Sequence, residues 1–420
     1  MKTRTGRCID DGGDKRRVVI AGGGYAGTTC AVKMARNLRP EEDLEILLIA
    51  INPCQQALSE LDLVAVGPPR PQFCELWHPT VFKELPVTVC YNRLKDVHSE
   101  KRKAIVGEDE EVPYWRLVLA TGAIPFLPPI PGLKEHATTM WSVEDAQKLQ
   151  QQIDEAFKSA ARLADRNERQ RKLSFAVVGG GATGVEIIGT LAQLLPKRLT
   201  EAGLSPRDLR LSLIEGRDDI LFDLPEPERR SARERLAEMG VEVLTGSLVD
   251  RVEDDAIYLK DGRSAYSHVL VWAGGVRPDP HAVEWGLEAS RSGRLVVDEY
   301  LKAKGHDDIY IIGDVAEAKD PRTGQALPML AQMAIQEGPY VAESVLREAR
   351  GEKIEPFKPK LRGEFVSVGP SWGVGVMYGR RLRGIPAIVM KRLTYVKYWL
   401  QVGGLPLAWR RTREMLAMGR

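Results

Sequence analysis

Twice along the chain a run of aliphatic residues ends in a cluster of glycines that opens a helical segment. After "RVVIA" stand Gly22, Gly23, Gly24, Tyr25, Ala26 and Gly27; after "FAVV" stand Gly179, Gly180, Gly181, Ala182, Thr183 and Gly184. In this arrangement the first glycine permits a tight turn and the second lets a diphosphate approach the backbone. The third lets the helix pack close to its strand, with the phosphates held on the helix N-terminus. One copy is a weak signal, but two copies in strand-to-helix context point to two dinucleotide sites. The second copy has the acid such a site uses: "LSLIEG" brings Glu215 to the end of a strand, where it would hold ribose hydroxyls and repel a 2′-phosphate. This favours NADH over NADPH, with Arg217 acting in the opposite sense. At the equivalent place in the first copy stands Ala50; either Asn52 substitutes or the adenosine end is held less tightly.

A second chemical constellation is "LPMLAQMAIQEG", residues 327–338, with the apolar spacing of a buried helix and Gln332 and Gln336 four residues apart. Both amides project from one helix face, and a buried amide without a partner costs about 1–3 kcal/mol, so the pair implies something polar to meet. Glu186 lies in the first turn of the helix that follows the second glycine cluster. There it serves either as a charge that suits a helix N-terminus or as a group beside the nicotinamide. Gly274 and Gly275 would let backbone approach the same ring. The six histidines are dispersed without ligand spacing, so no metal site is expected. The five cysteines, Cys8, Cys30, Cys54, Cys74 and Cys90, stand 16 to 24 positions apart, which gives neither a zinc knuckle nor a close dithiol. As free thiols they fit a reducing compartment.

The elements that would position these residues are also legible. At 420 residues, 43% hydrophobic and 28% charged, the chain is a folded protein of two or three domains. Short apolar runs ending in glycine alternate with longer helical segments, as in α/β sheets with buried central strands. Two proline-bearing crossings, "IPFLPPIPG" at 124–132 and "VRPDP" at 276–280, read as paired hinges around an inserted domain. The polar opening residues lack the apolar core of a signal peptide and read as a flexible arm.

From Gly379 onward ten Lys or Arg face one acid, Glu414. There Ile388, Val389, Leu393, Val396, Trp399 and Leu400 recur at helical spacing, with Lys391, Arg392 and Lys397 on the flanks. After Gly403-Gly404, Trp409 and the cluster Arg410, Arg411 and Arg413 begin a second basic helix. Helices of this kind lie in a bilayer interface, and no apolar run is long enough to span one. The other use of such a face is packing on the body or on a second subunit. Nothing points to nucleic acid, since the basic residues are interleaved with a regular apolar face.

Taken together, the two fingerprints, Ala120-Thr121-Gly122 closing one strand and Gly313-Asp314 closing "IYIIGD" resemble the two-dinucleotide flavoprotein superfamily over about Val18 to Gly351. The resemblance implies that Gly22, Gly24, Tyr25, Ala26, Gly27, Ala120, Thr121, Gly122, Gly313, Asp314 and Gln332 hold FAD. It implies in turn that Gly179, Gly181, Thr183, Gly184, Glu186, Glu215 and Gly275 hold NADH. No close cysteine pair is present, as disulfide reductases of the superfamily require, and no cysteine lies in the second half, as in sulfide:quinone reductases. The run Ala331-Gln332-Met333-Ala334-Ile335-Gln336 is similar to the Ala-Gln-x-Ala-x-Gln signature of type II NADH:quinone oxidoreductases. "GGGATGVE" and "WAGGVRP" resemble that family too.

The implied activity is hydride transfer from NADH to FAD, then two electrons to a membrane quinone near Gln332 and Gln336, with Glu186 positioning NADH or relaying a proton. The implied fold is two Rossmann-like domains: FAD-binding at 16–132 and 281–352, NADH-binding inserted at 133–280, a 1–15 arm, and a membrane-associating 353–420. The expected location is the cytoplasmic face of the membrane, peripherally, with a homodimer open as a further use of the tail. The segment 53–91 departs from the family pattern, which leaves the flavin-edge contacts unassigned. Two other readings stay open: a soluble NAD(P)H reductase serving a protein carrier, and a flavin redox sensor.

Overall fold

The computed structural model describes residues 1–9, 16–67 and 71–417. The aliphatic runs form two parallel sheets. In the first, β1 (Lys2–Thr5), β2 (Arg16–Ala21), β3 (Leu44–Ala50), β4 (Val87–Tyr91), β5 (Arg116–Leu119) and a later strand Ile309–Ile311 lie in the order β1-β4-β3-β2-β5-Ile309–Ile311. In the second, β6 (Ala137–Thr139), β7 (Ser174–Val178), β8 (Arg210–Ile214), β9 (Val241–Leu244) and β10 (Val269–Trp272) lie in the order β6-β10-β7-β8-β9. We name Ile309–Ile311 β11. All five strands of the second sheet fall between β5 and β11 in the chain. Both proline-bearing crossings are drawn together: Ala123–Pro125 pairs antiparallel with Val276–Pro278, Ala123 opposite Pro278. Strands such as "VVIA" and "LLIA" are buried on both faces, which is why they read as continuous aliphatic runs.

Five helices matter for the site: α1 (Tyr25–Asn37), α2 (Leu61–Val66), α3 (Ala182–Glu201), α4 (Ala331–Ala349) and α5 (Ile385–Ala417). α1 and α3 begin at the two glycine clusters. α4 crosses α1 at backbone contact, because a Cβ on Gly338 would collide with the carbonyl oxygen of Ala26 and the Thr29 hydroxyl. α5 is two helical arms joined at Gly404, whose φ of 67° and ψ of −165° break the helix where the Gly403-Gly404 pair predicted it.

Three expectations are corrected. The opening residues are not an arm: Lys2–Thr5 pairs in parallel with β4, and Glu110 accepts bonds from the Cys8 and Ile9 N–H groups at 2.7 and 3.1 Å. Residues 10–15 of that expected arm lie outside the described residues. Cys8 and Cys90 form a disulfide, so only Cys30, Cys54 and Cys74 are free, and the argument from scattered thiols to a reducing compartment falls. Finally, the region after 353 is more than a membrane foot. It contributes a three-stranded antiparallel sheet (Gly363–Ser367, Gly373–Met377, Arg380–Arg383), and Tyr398, Trp399, Val402, Leu407 and Met415 of α5 join the main core. Lys391, expected on a flank, and Arg411, expected in the cluster that begins the second basic helix, are turned inward.

Candidate active site

The two fingerprints fold into the same turn. Gly22 N–H donates to the Ile49 carbonyl and Gly179 N–H to the Ile214 carbonyl, each at 2.8 Å. A Cβ on Gly22 would fall on the carbonyl oxygen of Ala120, and one on Gly179 on that of Ala273; φ is 121° and 115° at the two positions. A Cβ on Gly27 would strike the Gly22 carbonyl and one on Gly184 the Gly179 carbonyl. Each helix therefore starts against its own strand with free N–H groups forward, a cradle in which glycine is required by contact.

The copies differ at the ribose corner. In the second, Glu215 packs on Gly180, taking bonds from Gly180 N–H at 2.5 Å and Arg217 N–H at 2.7 Å. In the first, Ala50 and the His78 ring fill the equivalent space against Gly23. Burial lowers His78 to about 4, so the ring is neutral; Nε2 bonds the Gly23 carbonyl at 3.1 Å and Nδ1 has no partner among the described residues. Sequence reasoning missed His78 because nothing local links it to a turn 55 residues away.

A cavity of about 1710 Å³ runs from the first fingerprint to α5. It brings together the expected Gly22, Gly24, Tyr25, Ala26, Ala120, Thr121, Gly122, Gly313, Asp314, Gln332, Gln336, Thr183 and Glu186. Gly27 and Gly184 are packing glycines behind it, while Gly179, Gly181, Glu215 and Gly275 stand off its wall with the second turn. The Thr121 hydroxyl is buried without a partner among the described residues, and Glu337 holds the Gly313 N–H at 2.6 Å, fixing the Gly-Asp turn at φ 74°. Burial raises the Asp314 carboxyl, and Arg294 offsets part of that. An elongated hollow with a phosphate cradle at one end and unsatisfied polar atoms along it suits a dinucleotide flavin. Glu337 was missed although it directly follows Gln336.

The two glutamines meet backbone. Gln332 Nε2 donates to the Gly363 carbonyl at 3.1 Å, and Gln336 is doubly bonded to Lys360, Nε2 to its carbonyl and Oε1 from its N–H, both at 3.1 Å. The polar partner that their spacing implied is the backbone of 360–363, and both side chains line the cavity.

Glu186 stands one turn into α3. Its carboxylate is paired with Lys391 Nζ at 2.5 Å and takes the Ser367 N–H at 3.1 Å, which ties α3 to α5 and the C-terminal sheet. Burial opposes the Lys391 charge, but Glu186, Tyr395 and Asp62 together outweigh it and raise the ammonium pKa. The segment 53–91 adds α2 and a hairpin, Cys54–Gln56 with Glu75–Trp77, that lie along the same cavity. From it come two unpredicted carboxyls, Glu60 and Asp62, both buried; Asp62 Oδ2 accepts the Thr190 hydroxyl at 2.6 Å. Arg411 holds the carbonyls of Gln72 and Phe73, and Tyr398 bonds Gln55, so α5 grips this segment.

The pyridine nucleotide-disulphide oxidoreductase family model matches residues 16–338. Among curated proteins, the type II NADH:quinone oxidoreductase of Staphylococcus haemolyticus is 27% identical over 95% of this chain and 98% of its own. That of Staphylococcus aureus is 27% identical with the same coverage. Among solved structures, Plasmodium falciparum NDH2 in complex with NADH superposes with a TM-score of 0.82 at 18% identity, covering 96% of this chain and 97% of that one. The sulfide:quinone oxidoreductase of Aquifex aeolicus reaches 0.76 at 16% identity, covering 93% and 91%.

Proposed function

The chain belongs to the pyridine nucleotide-disulphide oxidoreductase family, and from that premise we propose that it is a type II NADH:quinone oxidoreductase. The observation that carries this reading is the end-to-end likeness to curated type II enzymes, joined to a single cavity that runs from the phosphate cradle to Gln332 and Gln336. When bound, FAD takes a hydride from NADH and passes two electrons to a quinone. Gly22, Gly24, Tyr25, Ala26 and Gly27 receive the FAD diphosphate. Ala120, Thr121, Gly122, Gly313, Asp314 and Gln332 would hold the rest of FAD, with Gln332 and Gln336 on the quinone side. The inserted domain, 133–280, binds NADH through Gly179, Gly181, Thr183, Gly184, Glu215 and Gly275 and leaves 16–132 and 281–352 to FAD. Glu186 stands at the nicotinamide side of the cavity, paired with Lys391.

The tail, 353–420, attaches to a bilayer. Among the described residues no helix is long and apolar enough to cross one, but α5 shows a second apolar face to solvent: Ile385, Val389, Leu393, Leu405 and Trp409, the last two 77% and 67% exposed. Such a face beside Arg410 and Arg413 suits peripheral attachment to anionic lipid and delivery of an oily substrate.

The purified protein is expected to be yellow, to bleach with NADH under argon, and to recover its colour on adding a quinone analogue. Gln336→Leu removes two bonds to Lys360 at the quinone side and should slow quinone turnover severalfold while NADH still bleaches the flavin. A colourless protein that takes up no FAD, or one that bleaches yet passes no electrons to any quinone, would overturn the reading.

A further inference from the structure

Reduction of a quinone by NADH is balanced as NADH + H⁺ + quinone → NAD⁺ + quinol. The hydride carries two electrons and one proton, so the second proton must come from elsewhere. Glu60 stands on the cavity wall with Lys391, Tyr395 and Gln336, is 5% exposed, and its carboxyl has no hydrogen bond or ion pair among the described residues. An unpaired buried carboxyl facing a substrate cavity pays a penalty that a structural role does not require.

Resting on the function proposed above, we propose that Glu60 is the proton donor to the bound quinone and that Lys391 stabilises the carboxylate left behind. Glu60 gives its proton to a quinone oxygen as the two electrons arrive, then recovers one from water. Neutrality at rest is the first requirement. Burial raises Glu60 to about 8; Asp62 adds to this, while Lys391, Arg411 and Arg392 oppose it. The other groups facing it are Tyr25 from α1, Tyr395 from α5 and Cys74, none of which is ionised at neutral pH, since burial raises all three. Stabilising the conjugate base is the second requirement. Lys391 acts on both Glu60 and Asp62, and its own partner Glu186 keeps it charged. Asp62, raised to about 6 by burial and by Glu186, is anchored on Thr190 and does not face a substrate unpaired. Both carboxyls come from 53–91, the stretch that departs from the family pattern, so the device belongs to this chain's own sequence.

The test uses Glu60→Gln, which keeps the neutral shape, on the holoenzyme. Stopped-flow reoxidation of the NADH-bleached enzyme by a quinone analogue should slow about a hundredfold, the scale of a lost general acid. The wild-type rate should fall as pH passes about 8, the falling limb should vanish in Glu60→Gln, and Glu60→Asp should restore part of the rate. Independently of turnover, the infrared spectrum of the oxidised wild type at neutral pH should contain a carboxylic-acid C=O band that titrates near pH 8 and is missing from Glu60→Gln. Reoxidation and pH profile equal to wild type, or no such band, would overturn the assignment. If the wild type itself cannot reduce quinones, the functional reading fails instead, and the infrared titration separates the two failures.

Discussion

Replacing Lys391 with Met keeps the length and apolar stem of the side chain and deletes only its charge. The ammonium lies 2.5 Å from Glu186, with side-chain exposures of 14% and 10%, so water screens little. At an effective dielectric of ~20 the gross attraction at that distance is about 7 kcal/mol. Most of it offsets the cost of taking both ions out of water. The variant nevertheless loses about 3–5 kcal/mol, because a buried carboxylate is left behind. The Ser367 N–H still bonds Glu186 and moderates the loss.

The double variant Glu186→Gln/Lys391→Met should recover about 2–3 kcal/mol of that, since no orphan charge remains. The pH dependence follows in sign. Glu60 and Asp62 have raised values in the fold, to about 8 and about 6. The stability tied to their protonated forms is full below the unfolded value near 4 and drains away as pH rises through the folded values. Without Lys391 both values rise further, so the deficit of the variant should be larger at about pH 8.5 than at about pH 5.5. Urea unfolding followed by tryptophan fluorescence at the two pH values measures this. A deficit under about 1 kcal/mol, or one that does not grow with pH, would refute the reasoning.

Glu215→Ser removes the group set against a 2′-phosphate and leaves Arg217; the NADPH-to-NADH ratio of kcat/KM should rise about 10- to 100-fold, and an unchanged ratio would place the ribose elsewhere. Gly338→Val drives a side chain onto Ala26 and Thr29, parting α4 from α1 beside the phosphate cradle. It should cost about 1–3 kcal/mol or more, seen as flavin lost during gel filtration. Leu405→Glu/Trp409→Glu alters only exposed apolar side chains and should cut cosedimentation with anionic vesicles at least about tenfold with the circular dichroism unchanged. If vesicle binding survives and a dimer dissociates instead, that face meets a second copy. Trimming the tail would not serve, because Tyr398, Val402 and Leu407 belong to the core.

What could be read from sequence is what short-range chemistry dictates. The glycine turns were legible because contact with a neighbouring strand forces each glycine, and the crossings because prolines cannot sit in central strands. The break at Gly404 was legible for the same kind of reason. The opaque features are those made by distant partners. Lys391 looks like a flank lysine until Glu186, 205 residues earlier, meets it. α5 reads as one amphipathic stripe, yet it has two apolar faces: Ile388 and Trp399 turn inward while Val389 and Leu393 face out. The glutamine pair signalled a polar partner correctly, but the backbone of 360–363 is the partner found, and spacing alone does not say which acceptor answers an amide. The first strand was hidden because "KTRT" carries no apolar run; its pairing rests on main-chain bonds to β4 and on the Cys8–Cys90 link.

That short polar strand has a consequence for how copies of the chain behave in crowded solution. β4, "VTVCY", is a five-residue β-prone stretch without charge, and Lys2–Thr5 occupies its outer row of N–H and C=O groups. Stripping the first nine residues would bare a sticky ribbon edge able to recruit its counterpart on another molecule. The basic strand therefore works as a selvage: its side chains discourage further stacking, and the sulfur cross-link keeps it from peeling away.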